Sequence, residues 1–202
     1  MKLTNGIGNP REGGCWMVVA SMYSENRWTD HPKCVDPLIR CMCILLNDSI
    51  SSDERREELI GPHLWAPIGT RQRNLEAKRR NYLVRAVQNS LIQLLQSSGI
   101  DTKKLAALKR TRNIYKELDE MDWPKNQLRI VIAHRSKVCM LAALSYDDWH
   151  LALSVKRYLE ETHPRRMAEE SYLQLILALC AMSTPEELVP ERQAKVLEVM
   201  GV

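Results

Sequence analysis

Helix start and stop signals recur along this sequence, and they constrain its fold more than any other feature. Residues that cap or begin a helix, such as Asp36 followed by Pro37, stand just before stretches in which apolar residues recur at helical spacing. Glycine and proline, as at Gly61 and Pro62, follow such stretches and end them. The sequence therefore predicts an all-α protein, a compact irregular helical bundle of about seven to nine helices.

The same signals place the individual helices. Ser51 with Glu54, and Ser145 with Asp148, have the spacing of a capping box, which marks a helix start. A β-branched stretch at residues 128–132 has no partner strand in view, so we expect it to be helical. The predicted helices cover residues 15–24, 37–47, 51–59, 70–97, 102–121, 124–144, 145–162, 165–182 and a last segment from residue 184.

Length and composition are those of an ordinary globular protein. The chain has 202 residues, of which 45% are hydrophobic and 27% are charged, which favours one folded domain over residues 1–202. Within it we distinguish an irregular arm (1–12), a motif-bearing part (13–70) and a helical bundle (71–202). The formal net charge of +4 permits a polyanionic partner without requiring one.

No segment of the sequence has the pattern of a membrane span or an export signal. The first apolar run, residues 15–20, is too short for a signal peptide, and the most apolar stretch, residues 172–182, is too short for a bilayer. We expect a cytoplasmic protein without a cofactor. Its six cysteines are then free thiols rather than a disulfide framework. The oligomeric state stays open, and a homodimer is the commonest arrangement.

Cys15 is the first residue whose position allows catalysis. It follows two glycines at a predicted helix start, where unpaired backbone N–H groups and the helix dipole lower the pKa of a thiol. A nucleophile also needs a base, and His31 beside Asp30 is the nearest candidate in sequence. The other candidate bases are His134 and His150.

The tripeptide Gly14-Cys15-Trp16 resembles the nucleophile segment of papain-like cysteine proteases. That resemblance covers three residues and implies a cysteine-dependent hydrolase or transferase. The base of that family lies on a β-sheet, which the helical pattern here does not predict. The structural alternative is that Cys15 is a small buried side chain at a close helix contact, and we prefer it.

Four soft ligands in one short stretch raise the alternative of a zinc-stabilised helical module. They are His31, Cys34, Cys41 and Cys43. Against zinc, Cys41 and Cys43 lie two residues apart on a predicted helix, so their side chains diverge by roughly 160°. We therefore predict no metal site.

The loop from Trp28 to Cys34 combines an aromatic ring, the Asp30 carboxylate and the His31 imidazole. Loops of this composition often carry binding sites. The same residues also build turns and attach loops to a core, since Asp bonds to nearby backbone and Trp packs against apolar neighbours.

Basic residues cluster on both sides of Gly99. Arg71, Lys78 and Arg85 are seven residues apart, so on one helix they form a stripe that can follow phosphates. A merely solvated helix face has the same pattern. The other residues of this predicted partner-binding set are Arg79, Arg80, Lys109 and Arg112, and Arg73 lies among them.

A wider pattern in the first third of the chain is similar to uncharacterised small helical proteins of actinobacteria and their phages. Its centre is the motif W-[ST]-D-H-P-x-C at residues 28–34. The other matching positions are Gly14, Cys15, Pro37, Ile39, Asn47, Asp48, Arg56, Leu59, Gly69 and Thr70. The resemblance implies a prokaryotic or phage protein, for which host modulation or inhibition of a defence system is an expectation by association. Our leading hypothesis is a non-enzymatic interaction protein that binds a protein or nucleic-acid partner.

Overall fold

The computed structural model describes residues 2–9, 11–97 and 147–183, and this part of the chain is all-α. Its helices are α1 (Trp16–Glu25), α2 (Pro37–Ser49), α3 (Asp53–Ile60), α4 (Glu76–Ser97), α5 (Asp148–Thr162) and α6 (Arg165–Cys180). Two 3-10 turns, Gly61–His63 and Arg73–Leu75, precede α4. The all-α prediction is confirmed for these residues. The helices predicted over 102–144 and from 184 lie outside them.

The chain divides into two compact units. The first comprises Met1–Arg79 and Lys156–Val202, and the second comprises Arg80–Val155. Each division falls inside a helix, α4 or α5, rather than at a glycine or proline, so the sequence signals do not mark it. The prediction of one domain stays a prediction.

The core of the first unit forms around α2, which packs against α1 and α6. Apolar side chains from all three helices are buried there, because each helix carries an apolar face that must leave water. The largest of these buried side chains are Trp16, Met17, Ile39, Met42, Leu46 and Tyr172. Among the described residues, no helix combines the length and the apolar character needed to cross a membrane.

Local capping explains where α2 and α3 begin. Asp36 caps α2 as predicted, with its carboxylate accepting from Leu38 and Ile39 and Pro37 in the first turn. The cap of α3 is Ser52, whose hydroxyl accepts from the Arg55 N–H. The predicted cap, Ser51, was therefore wrong by one residue. The cap predicted for α5 at residue 145 lies outside the described residues.

The start of α4 also differs from the prediction. The helix was expected from residue 70, but a 3-10 turn occupies Arg73–Leu75 and α4 begins at Glu76. Arg71 consequently lies in the preceding loop, where its backbone N–H donates to the Cys34 carbonyl at 3.0 Å. The helical stripe of Arg71, Lys78 and Arg85 was therefore wrong in its first member.

The described residues of the N-terminal arm, 2–9 and 11–12, form no helix, and they are built into the first unit. Leu3 is fully buried, and its backbone N–H donates to Glu57 at 2.7 Å. The Thr4 N–H donates to the Gly14 carbonyl at 3.1 Å. Gly13 has φ 109°, and a β-carbon there would lie 2.2 Å from the Lys2 carbonyl oxygen, so glycine is required at this approach.

Candidate functional site

Cys15 immediately precedes α1, as the catalytic hypothesis requires, but its surroundings do not activate it. The residue is 2% exposed, and burial raises the pKa of its thiol despite the backbone N–H groups of Val18 and Met17, which lower it. The His31 side chain is exposed, and its Nδ1 lies 2.5 Å from Asp30 Oδ1. Among the described residues, no hydrogen bond joins His31 to Cys15. A buried, protonated thiol without a base gives the cysteine hydrolase hypothesis no support.

The other two predicted bases do not change this conclusion. His134 lies outside the described residues. His150 belongs to the second unit, where its Nδ1 lies 3.3 Å from Asp147 Oδ2 on an exposed surface. The thiol of Cys15 therefore has no described imidazole partner in its own unit.

The four predicted zinc ligands are not brought together. Cys41 and Cys43 are both buried in α2, and burial raises the pKa of the Cys43 thiol well above its usual value. Cys34 uses its thiol to donate to the Ser24 hydroxyl at 3.1 Å. Within the described ranges, no three His, Cys, Asp or Glu side chains form a group suited to a metal ion. The zinc hypothesis for this set, which includes His31, therefore has no geometric support.

The motif loop, residues 28–34, uses its polar groups on itself and on the N-terminal arm. The Trp28 ring N–H donates to the Gly8 carbonyl at 3.4 Å. The Thr29 hydroxyl accepts from the His31 backbone N–H at 3.2 Å, and Asp30 holds the His31 ring. These are the contacts of a loop attached to its neighbours, which is the structural alternative given above.

Two other residues of the resemblance pattern, Asn47 and Arg56, also serve the framework. Asn47 is fully buried at the end of α2, where its side chain accepts from the Trp16 N–H at 3.3 Å and donates to the Thr4 carbonyl at 3.0 Å. Arg56 donates to the Asn47 carbonyl at 2.9 Å and to the Ile50 carbonyl. The guanidinium thereby satisfies carbonyls that the end of α2 leaves unpaired.

The basic segment, residues 71–78, has a different character. Arg71, Arg73 and Lys78 are all exposed in the first unit. Within the part of the chain that the structure describes, none of the three forms an ion pair. Glu76 is the acidic residue of the segment and is half-buried at the start of α4. As far as the described residues go, this segment therefore presents positive charge to solvent without a matching carboxylate.

Arg79 does not belong to that exposed set, and its prediction as a partner-binding residue was wrong. The side chain is 0% exposed, and its Nη1 lies 2.7 Å from Asp36 Oδ2. The sequence did contain the signal. Arg79 precedes the buried Leu83 by four residues and the buried Val87 by eight, so helical spacing places all three on one face of α4.

The remaining predicted basic residues lie elsewhere. Arg80 and Arg85 belong to the second unit. There, Arg80 Nη2 lies 2.7 Å from Asp148 Oδ1, whereas Arg85 is exposed and has no ion pair among the described residues. Lys109 and Arg112 lie outside the described residues. Of the basic residues that the sequence singled out, those exposed in the first unit are thus Arg71, Arg73 and Lys78.

Asp36 makes more contacts beside the basic segment than the sequence predicted. It was predicted as a helix cap alone, and its Oδ1 does accept from the first turn of α2. Its Oδ2 also pairs with Arg79, and its backbone N–H donates to the Thr70 hydroxyl at 3.1 Å. One buried aspartate therefore contacts the residues that flank the basic segment on both sides.

A shallow depression lies beside α2, α5 and α6. Its lining includes Lys156, Glu160, Arg165 and Glu169. Lys156 Nζ lies 2.6 Å from Glu160 Oε1, and Arg165 Nε lies 3.1 Å from Glu169 Oε1. Because these charges are matched within the protein, they offer no unmatched charge to a ligand.

Comparison of the chain with protein-family models, with curated proteins and with solved structures gave no match.

Proposed function

We propose that this chain is a non-enzymatic binding protein whose basic segment contacts the phosphate backbone of a nucleic acid. One observation carries the proposal: Arg71, Arg73 and Lys78 stand exposed on one short segment without an ion pair among the described residues. Cations in this state attract phosphates strongly, because binding releases the counterions condensed on the nucleic acid. Contacts of this kind require no particular base sequence.

The burial of Cys15 supports the non-enzymatic part of the proposal. A protonated thiol that is 2% exposed is a poor nucleophile at neutral pH. The cations of the basic segment need no activation to act, since arginine and lysine are charged at neutral pH. An acidic protein surface is the alternative partner for the same segment, and the experiment below separates the two.

The biological setting is proposed from the resemblance of the first third of the chain. It comprises a prokaryotic or phage origin, a cytoplasmic location, and a role in modulating a host or inhibiting a defence system. A homodimer, a bundle of about seven to nine helices and a single domain are further parts of the proposal.

Fluorescence anisotropy with labelled duplex DNA and labelled single-stranded RNA tests the proposal. A triple variant, Arg71→Gln with Arg73→Gln and Lys78→Gln, should bind at least about tenfold more weakly near 0.1 M salt. For the duplex DNA, the plot of log K against log salt should become shallower by about 2.7, since each phosphate contact contributes about 0.9. For the single-stranded RNA, the change should be about 2.1, since each contact contributes about 0.7. Far-ultraviolet circular dichroism should be unchanged.

A matched triple variant controls for net charge. Arg11→Gln with Arg157→Gln and Arg166→Gln removes three exposed cations from the same unit. This control should retain most of the binding and of the salt dependence. Equal losses in both triples would show that net charge acts without a particular segment. Binding of polyglutamate in preference to both nucleic acids would instead identify an acidic protein partner.

A further inference from the structure

The beginning of the basic segment is fixed by buried hydrogen bonds. The Thr70 hydroxyl accepts from the Asp36 N–H at 3.1 Å and donates to the Pro67 carbonyl at 2.6 Å. The next residue, Arg71, donates its backbone N–H to the Cys34 carbonyl at 3.0 Å. Asp36 and Thr70 are each 1% exposed, so water competes little for these bonds.

The end of the segment is fixed by the same aspartate. Arg79 directly follows Lys78 and pairs with Asp36 at 2.7 Å. The guanidinium also donates to the Leu179 carbonyl at 3.3 Å and to the Ser183 hydroxyl. Asp36 therefore holds both flanks of the segment, Thr70 through its backbone N–H and Arg79 through its carboxylate. The cations between the two flanks stay in solvent.

We infer that Asp36 and Thr70 are positioning residues for phosphate binding, which hold the basic segment in a fixed path before the nucleic acid arrives. This inference rests on the proposed function. Binding orders flexible groups at a cost in conformational entropy, and a segment already held at both ends avoids part of that cost. Neither residue reaches the surface, so neither contacts the ligand itself.

Positioning and direct contact leave different traces in a salt titration. The salt dependence of binding counts the cations that meet phosphates. A change at Thr70 leaves Arg71, Arg73 and Lys78 in place, so the slope should stay the same. The affinity at every salt concentration should fall, because the segment must then be ordered during binding.

The matched pair Thr70→Val and Thr70→Ser provides the test with the same labelled duplex DNA. Valine keeps the shape of threonine but removes the oxygen that accepts from Asp36, whereas serine keeps that oxygen. We expect Thr70→Val to weaken binding by about tenfold, the effect of ordering roughly one residue, with an unchanged salt slope. Thr70→Ser should bind like the wild type. Hydrogen exchange of the Arg71 amide in the free protein should accelerate in Thr70→Val alone.

Each other result has a definite meaning. If Thr70→Val binds as tightly as the wild type, or binds with a shallower salt slope, the inference is overturned and the proposed function stands. If the wild type binds neither nucleic acid, the proposed function is overturned and the inference falls with it. Should Thr70→Val fail to fold by circular dichroism, Ser183→Ala decides at the other flank. Because Ser183 accepts from the Arg79 guanidinium that Asp36 holds, this change should weaken binding about twofold with the same slope. Unchanged binding would overturn the inference.

Discussion

The motif loop and the basic segment are two partly exposed polar stretches of the same unit, and they use their polar groups in opposite ways. In the motif loop, the side chains of Trp28, Thr29 and Asp30 all bond to backbone or to a neighbouring side chain. In the basic segment, Arg71 and Lys78 direct no charge to a described carboxylate. The motif loop has the more distinctive residue types, but fewer of its polar groups remain available to bind a partner.

The comparison shows why residue types alone are a poor guide to a binding site. Asp, His and Cys in one loop resemble a binding site. Here, however, the His31 imidazole is held by Asp30 and the Cys34 thiol is hydrogen-bonded to Ser24, so both belong to the framework. A hydrogen bond made within the protein must be broken before the same atom can bind a ligand, and this costs free energy. Unmatched charges require no such exchange.

The largest expected effect on the free energy of unfolding is at the end of the basic segment, where the exposed Lys78 is followed by the buried Arg79. Arg79→Met leaves the Asp36 carboxylate buried without its partner and should lower the free energy of unfolding by about 3–5 kcal/mol. The adjacent Lys78→Met removes an exposed cation and should change it by less than about 0.5 kcal/mol. Urea unfolding followed by circular dichroism measures both. Similar values for these neighbours would contradict the assignment of one to the interior and the other to solvent.

Alkaline pH provides an intermediate effect on the interior of the same unit. Burial raises the pKa of the Cys180 thiol to about 12 and that of the Cys43 thiol well above its usual value. Well below about pH 8.5, the ordinary thiol pKa, the folded and unfolded chains both keep these protons, so stability is complete. Above it the unfolded chain loses them first, and each thiol should lower the free energy of unfolding by about 1.4 kcal/mol per pH unit.

Urea unfolding at pH 9 and pH 10 under reducing conditions checks this expectation. The decline between the two pH values should be less steep by about 1.2 kcal/mol in Cys180→Ala than in the wild type, since the unfolded thiol is not yet fully ionised at pH 9. Parallel declines would mean that the Cys180 thiol ionises as easily in the folded protein as in the unfolded chain.

The smallest effect is expected in the motif loop, and a large one would break the comparison. His31→Gln should change the free energy of unfolding by less than about 0.5 kcal/mol, because the ring is mostly exposed. Iodoacetamide should react with Cys15 no faster than with a model thiol near neutral pH, in the variant and in the wild type alike. Rapid labelling of Cys15 that depends on His31 would restore the cysteine hydrolase hypothesis.

Local signals allowed the sequence to predict most of the helix positions that the described residues show. The cap at Asp36 and the proline after it act within one turn, so they can be read without knowing the fold. Where two adjacent residues qualify, as Ser51 and Ser52 do, the choice depends on packing, and the prediction was wrong by one. The 3-10 turn before α4 has no comparable sequence signal.

The sequence could not predict contacts between residues that are far apart along the chain. Asp36 and Arg79 are 43 residues apart, and no local pattern pairs an aspartate with one of several nearby arginines. The spacing of Arg79 relative to Leu83 and Val87 indicates burial, but it does not identify the partner. For the candidate site, the sequence therefore predicted the exposed cations and missed the buried residues that flank them.

The docked N-terminal arm has a consequence for the order in which the chain acquires its structure during synthesis. Leu3 leaves the ribosome well before Glu57, the residue 54 positions later that accepts its backbone N–H. The hydrogen bond that holds the Leu3 N–H therefore cannot form until Glu57, a residue of α3, has been made. A nascent chain stalled before α3 would leave Leu3 without its contact to Glu57 and accessible to proteases.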